Sequence, residues 1–208
     1  MPGRPRKDVI REDVVGVYHV WSRCVRQQFL LGRDVLTGRN FDHRKQWIYE
    51  RVQELVRIFA IDTCVYAILS NHYHLIVRNR VDLTAQWSDE EVVRRWWQLY
   101  PERRDDHGAP AQPTELEIRS LLADQEKVDE KRKRLSSISW FMKSLNESIS
   151  RRANAEDGTK GHFWSERFGC RNLLDECAIL ACSIYIDLNE LRARLADTPE
   201  ESRNTSGR

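Results

Sequence analysis

His72 and His74 stand two residues apart in Asn71-His72-Tyr73-His74-Leu75-Ile76-Val77, a run of aromatic and branched residues that reads as a strand. Side chains alternate across a strand, so His72, His74 and Ile76 share one face while Tyr73, Leu75 and Val77 enter the opposite layer. Imidazole is the commonest protein metal ligand, and two on one face make a metal-ligand geometry that needs a third donor. Leu173 to Ala196 supplies a candidate. Leu173, Cys177, Leu180, Ile184, Leu188, Leu191 and Leu195 recur there at spacings of three and four, the pattern of an amphipathic helix. On the flank of that stripe Tyr185 and Asn189 lie four residues apart and stack one above the other, with Ala178 and Ala181 on the same side. A phenol and an amide oxygen would then face one site.

The elements that must hold these residues can be read in order. Residues 14 to 25 alternate as a first strand, and a polar region with Gly32 and Gly38 follows. Asp42 is placed to cap a helix over 43–60, whose Trp47, Ile48, Val52, Leu55, Val56 and Phe59 form one broad apolar face. Residues 62–70 and 72–79 are strands rich in Val, Ile, Tyr and Leu, joined at Ser70-Asn71 as a tight antiparallel pair. Strand, helix, strand, strand predicts an α+β, ferredoxin-like antiparallel sheet, to be completed by a helix over 136–153, a strand or hairpin within 161–172, and the Tyr185 helix. A helical insertion over about 84–134 interrupts it. Ser88 and Thr114 each open a capping box there, with Glu91 and Glu117 three residues on, and the second helix is expected to run on toward Arg134. Residues 1–13 read as a flexible basic arm, 14–196 as the domain, and 197–208 as a disordered tail.

The ordered blocks Tyr18-His19-Val20, Ala67 to Val77, Gly161-His162-Phe163-Trp164-Ser165-Glu166-Arg167-Phe168 and Tyr185-Ile186-Asp187-Leu188-Asn189 resemble those of REP-associated tyrosine transposases, single-tyrosine enzymes of the HUH superfamily. The resemblance covers roughly Val14 to Arg194. It implies that His72 and His74 are metal ligands, that Tyr185 is the nucleophile, and that Asn189 completes the metal shell. It further implies a 5′-phosphotyrosine intermediate, a free 3′-hydroxyl, and single-stranded or hairpin DNA as partner. The family usually carries proline after the position of Asn189; Glu190 stands here. That departure keeps open a second reading, a domesticated hairpin-binding protein without cleavage.

A tyrosine hydroxyl suits such chemistry because a phosphotyrosine stores the phosphodiester bond energy for rejoining. Two imidazoles suit zinc as well as harder ions, and a zinc hydrolase is a third reading; amide and phosphate oxygens, with the resemblance, point to Mg²⁺ or Mn²⁺. Candidate DNA contacts are Arg4 and Arg6, in a basic-proline arm of the kind that enters a minor groove; Lys143, Arg151 and Arg152 on the polar face of the 136–153 helix; Trp164, as a base-stacking ring; and Arg167. Each has a plain structural alternative, a solvated terminus or helix face for the cations and core packing for the tryptophan. His19, with no partner at ligand spacing, is read as structural.

The 208 residues allow one domain with an elaboration, and the formal charge of +2 hides uneven clusters, basic at the N-terminus and in Lys131-Arg132-Lys133-Arg134, acidic between Glu102 and Glu130. The N-terminal sequence lacks the apolar core of a signal peptide and no run of about 18 apolar residues exists, so a cytoplasmic protein, on the nucleoid when bound to DNA, is expected, with no membrane partner. The five cysteines lack CxxC spacing and read as reduced thiols. A homodimer and a monomer are both compatible with the sequence.

Overall fold

The computed structural model describes residues 8–34, 37–189 and Thr205. Arg4, Arg6, Glu190 and nearly all of the tail lie outside the described residues. Of the arm, residues 8–13 are packed on the domain: Ile10 is buried, Tyr18 Oη accepts from the Arg11 amide, and Glu12 accepts from Ser137 Oγ. In the tail, Thr205 forms an isolated antiparallel bridge with Ala67 and is buried.

Four strands, β1 (Gly16–Arg23), β2 (Ile61–Ile68), β3 (His72–Asn79) and β4 (Gly169–Leu173), form one antiparallel sheet in the order β2-β3-β1-β4. With α1 (His43–Ile58) between β1 and β2, and β3 inserted between those two strands, this is the split βαβ arrangement of the ferredoxin-like class. β3 is central and almost wholly buried, because both sheet faces are covered. One face, with Tyr18, Val20, Tyr73, Leu75 and Val77, packs on α1 and on α6 (Ile138–Asp157). The other, with Ala67, Ile76 and Leu173, packs on α7 (Glu176–Asp187) through Ala178, Ile179, Cys182 and Ile186.

The insertion contains α2 (Val81–Thr84), α3 (Asp89–Leu99), α4 (Glu115–Leu122) and α5 (Gln125–Leu135). It is tied to the first layer through backbone carbonyls. Arg95 donates to the carbonyls of Arg57 and Ile58 at the open end of α1, while Arg132 braces the insertion itself by donating to those of Thr84 and Trp87.

Local details differ from the sequence reading for identifiable reasons. The expected continuous helix into Arg134 breaks at Asp124, whose carboxylate accepts from the Lys127 amide and starts α5 as a new helix. Thr114 and Glu117 complete a capping box, whereas Ser88 caps α3 alone because Glu91 is held by Arg95. Asp42 makes no side-chain cap; its carboxylate pairs with Lys45. The strand expected within 161–172 starts only at Gly169 and runs past the block to Leu173.

Tyr73 shows how β3 is held from behind the candidate site. Its hydroxyl, fully buried, donates to Asn146 Oδ1 at 2.6 Å, and Asn146 Nδ2 donates to Ser22 Oγ. Tyr73→Phe leaves the half-buried Asn146 carboxamide oxygen without its donor, so we expect a loss of about 1–3 kcal/mol in denaturant unfolding.

Candidate active site

His72 and His74 do share a face, opposite Arg23 and Trp21 respectively on β1, and His74 is opposite Ala67 on β2. His72 Nδ1 lies 2.6 Å from Asn71 Oδ1, and Asn71 Nδ2 donates to the carbonyl of Gln27. A carboxamide oxygen only accepts, so His72 Nδ1 carries the ring proton and Nε2 carries the lone pair. The anchor is a loop under local strain, since Arg26 and Gln27 have φ of 52° and 57°.

His74 is 6 % exposed. Its Nδ1 lies 2.8 Å from His19 Nε2, and its own Nε2 is buried with no hydrogen-bond partner. One nitrogen of the His19–His74 pair must donate. An orphaned buried N–H is the rarer defect, which favours His74 Nδ1–H donating to His19 and leaves a bare lone pair at His74 Nε2. His19 is thus part of the site, contrary to its reading as an isolated structural residue. The signal was its place in the alternation of β1, but only the β1–β3 register turns that into a contact.

Desolvation depresses all three imidazoles. His74 falls to about 3, through burial first and then the nearby His19, His72 and Arg23. His72 falls to about 4 through burial and Arg23, and His19 to about 4 through burial and Arg171. Near neutral pH all three are uncharged, the state a metal ligand requires.

Tyr185 projects from α7 toward this cluster. Its ring centroid lies 6.0 Å from that of His74, edge to face, and the side chain is 42 % exposed. The start of α7 is fixed by Asp175, whose carboxylate accepts from the Ala178 amide. Asn189 is buried and donates through Nδ2 to the Tyr185 carbonyl at 3.0 Å, one turn back, which orients its Oδ1. The apolar stripe assigned to this helix is not the one it buries. Leu180 and Ile184 are 62 % and 51 % exposed, Cys177 is exposed, and Leu173 belongs to β4. Among the described residues no three His, Cys, Asp or Glu side chains form a metal-binding group.

The other DNA-contact candidates lie apart from this cluster. Lys143, Arg151 and Arg152 are exposed on α6, across the sheet from the histidines. Lys143 lies over Trp140, Arg151 pairs with Glu147, and Arg152 lies over Trp47. Trp164 is 8 % exposed, packs edge to face on Tyr73, and donates its indole N–H to the Asn146 carbonyl, so its ring belongs to the core and offers no stacking surface. Arg167 is exposed and makes no ion pair among the described residues.

The depressed imidazoles fix a pH dependence. The unfolded chain binds protons at these groups below about 6.5, whereas the folded chain does not until about 3 to 4. Metal-free protein should therefore lose stability as pH falls from about 6.5 toward 4. Denaturant unfolding at pH 7 and pH 5 checks this, and the difference should shrink in His74→Gln.

The sequence has no match among protein-family models and none among curated proteins. Among solved structures, the chain is similar to a REP-associated tyrosine transposase bound to a REP hairpin, with a TM-score of 0.53 and 12 % identity, covering 98 % of this chain and 82 % of that one. No described helix is long and apolar enough to cross a membrane. The α+β fold of this chain, built on a four-stranded antiparallel sheet, is thus that of the REP-associated tyrosine transposases.

Proposed function

We propose that this chain is a divalent-metal-dependent nickase and strand transferase acting on single-stranded DNA beside hairpins, with Tyr185 as nucleophile. The observation that carries the reading is the convergence of an orphaned, buried His74 Nε2, a second imidazole with its Nε2 lone pair free, and an exposed phenol 6.0 Å from the His74 ring. The hairpin-bound neighbour of like fold supports a hairpin-DNA substrate. Nε2 of His72 and of His74, with Asn189 Oδ1 as the third donor, would hold a divalent ion with open positions, and the amide and phosphate oxygens favour Mg²⁺ or Mn²⁺. Such an ion supplies Lewis acidity to the scissile phosphate.

Asn71 and His19 hold the two imidazoles in the ligating tautomer, the usual role of partners to a metal-bound histidine. The Tyr185 oxygen attacks phosphorus, its proton passing to water on its exposed side. The P–O3′ bond breaks, leaving a 5′-phosphotyrosine and a 3′-oxygen that is protonated to a hydroxyl. Rejoining is the reverse, with a 3′-hydroxyl attacking the phosphotyrosine and the phenol leaving. No external energy source is needed because one ester replaces another.

Tyr185→Phe should abolish the covalent protein–DNA band on a denaturing gel with hairpin substrates carrying single-stranded flanks, while leaving hairpin affinity and Mn²⁺ affinity unchanged. His72→Ala and His74→Ala should abolish both the band and calorimetric Mn²⁺ binding, and Asn189→Ala should weaken cleavage more than hairpin binding. An adduct persisting in Tyr185→Phe would remove Tyr185 from its role; no adduct from the unmutated protein with any divalent ion would leave hairpin binding without cleavage.

His19 should act through His74 alone. His19→Ala should weaken Mn²⁺ binding by about 10- to 100-fold, as read by calorimetry, with hairpin affinity retained.

A further inference from the structure

Trp21, Arg23 and Arg171 surround the histidines and have no part in the proposed cleavage chemistry. We propose that they form a track for one DNA strand across the histidine face of the sheet, Trp21 stacking an unpaired base and the two guanidiniums holding phosphates on either side. This rests on the reading of the chain as a DNA-processing protein and adds the path the substrate takes.

Alternation in β1 puts His19, Trp21 and Arg23 on one face. Arg23 is directly opposite His72, Trp21 lies between His74 and Gly169, and Arg171 is directly opposite His19. Directly opposed side chains have Cβ atoms about 4.5–5.5 Å apart, so both guanidiniums start within reach of the cluster. α7 covers the end of this face around Val17, Ile76 and Leu173, but Arg23 stays exposed and Trp21 is only half-buried.

Arg23 and Arg171 are exposed and make no ion pair among the described residues. Several other guanidiniums are neutralised, Arg44, Arg78, Arg80, Arg103 and Arg132 each pairing with a carboxylate, whereas Arg23 and Arg171 share the histidine face of the sheet without one. Two unpaired cations flanking the histidine row are placed for an anion that the protein itself does not provide. From His19, which faces Arg171, to Arg23 is four residues along β1, about 13 Å at roughly 3.3 Å per residue. That is too long for one phosphate group and leaves room between them for a nucleotide.

Trp21 lies in that interval. A Cβ on Gly169 would come within 2.2 Å of Trp21 Cε2 and 2.3 Å of Cζ2, so the indole is seated against bare β4 backbone. Its ring centroid is 5.0 Å from that of His19. Its N–H has no hydrogen-bond partner among the described residues, unlike those of Trp97 and Trp164. A supported ring with cations on both sides is the composition of single-strand sites, where bases stack and phosphates pair. Duplex DNA keeps its bases stacked internally and offers none to Trp21.

Fluorescence anisotropy with a labelled oligothymidylate in EDTA tests the track without cleavage. Arg23→Gln and Arg171→Gln should each reduce the slope of log affinity against log salt by about 0.7. Trp21→Leu should weaken binding about tenfold at unchanged slope, with partial recovery in Trp21→Phe, and Arg151→Gln on α6 should bind as the unmutated protein does. Circular dichroism verifies folding; if Trp21→Leu does not fold, the arginine slopes decide. Unaltered affinity and slope in the folded variants, or an unmutated protein that binds hairpins but no single strand, would overturn the track. Loss of binding in the variants, together with no Tyr185 adduct, would keep the track and remove the strand-transfer chemistry.

Discussion

The register of β3 between β1 and β2 governs every feature of the site. β3 is largely buried, and its side chains alternate with period two, so one register places His72 and His74 on the face that α7 partly covers while Tyr73, Leu75 and Val77 fill the layer against α1 and α6. A one-residue slip would exchange the faces. It would drive two imidazoles into an apolar layer and pull the Tyr73 hydroxyl away from Asn146, so the core selects the observed register. The same register brings His19 and Arg171 to one side of the histidines and Arg23 to the other.

Electrostatics at this face follow from that placement. Burial and flanking arginines keep the imidazoles neutral, which costs stability in acid but keeps the lone pairs available. The partners that select the two imidazole tautomers come from different parts of the chain: Asn71 precedes β3, held in turn by the strained Gln27 turn after β1, and His19 lies within β1. Precision at His72 and His74 therefore depends on contacts that neither histidine makes with its own strand.

Much of this was legible in the sequence, and the failures have physical causes. The histidine pair and its shared face followed from strand periodicity, and strand, helix, strand, strand from apolar patterning. The buried face of α7 was misread because that helix is apolar on several sides: Leu180 and Ile184 fit a helical stripe as well as Ile179, Cys182 and Ile186 do, and only the sheet decides between them. His19 was passed over because its partner is 55 residues away and spacing along one strand cannot reveal it. Asp124 and Asp42 show the ambiguity of a helix-flanking aspartate, one capping the backbone and the other pairing with a lysine. Trp164 and the α6 cations were chosen by residue type; the first lies in the core and the others on the layer behind the sheet.

The central claim is that His72 and His74 hold one divalent ion through Nε2, beside Tyr185. The most direct measurement is anomalous diffraction from crystals soaked in Mn²⁺. The account expects a single strong peak within bonding distance of both Nε2 atoms, with His74 Nδ1 still paired to His19. A peak elsewhere, or none at this face at saturating Mn²⁺, would contradict it.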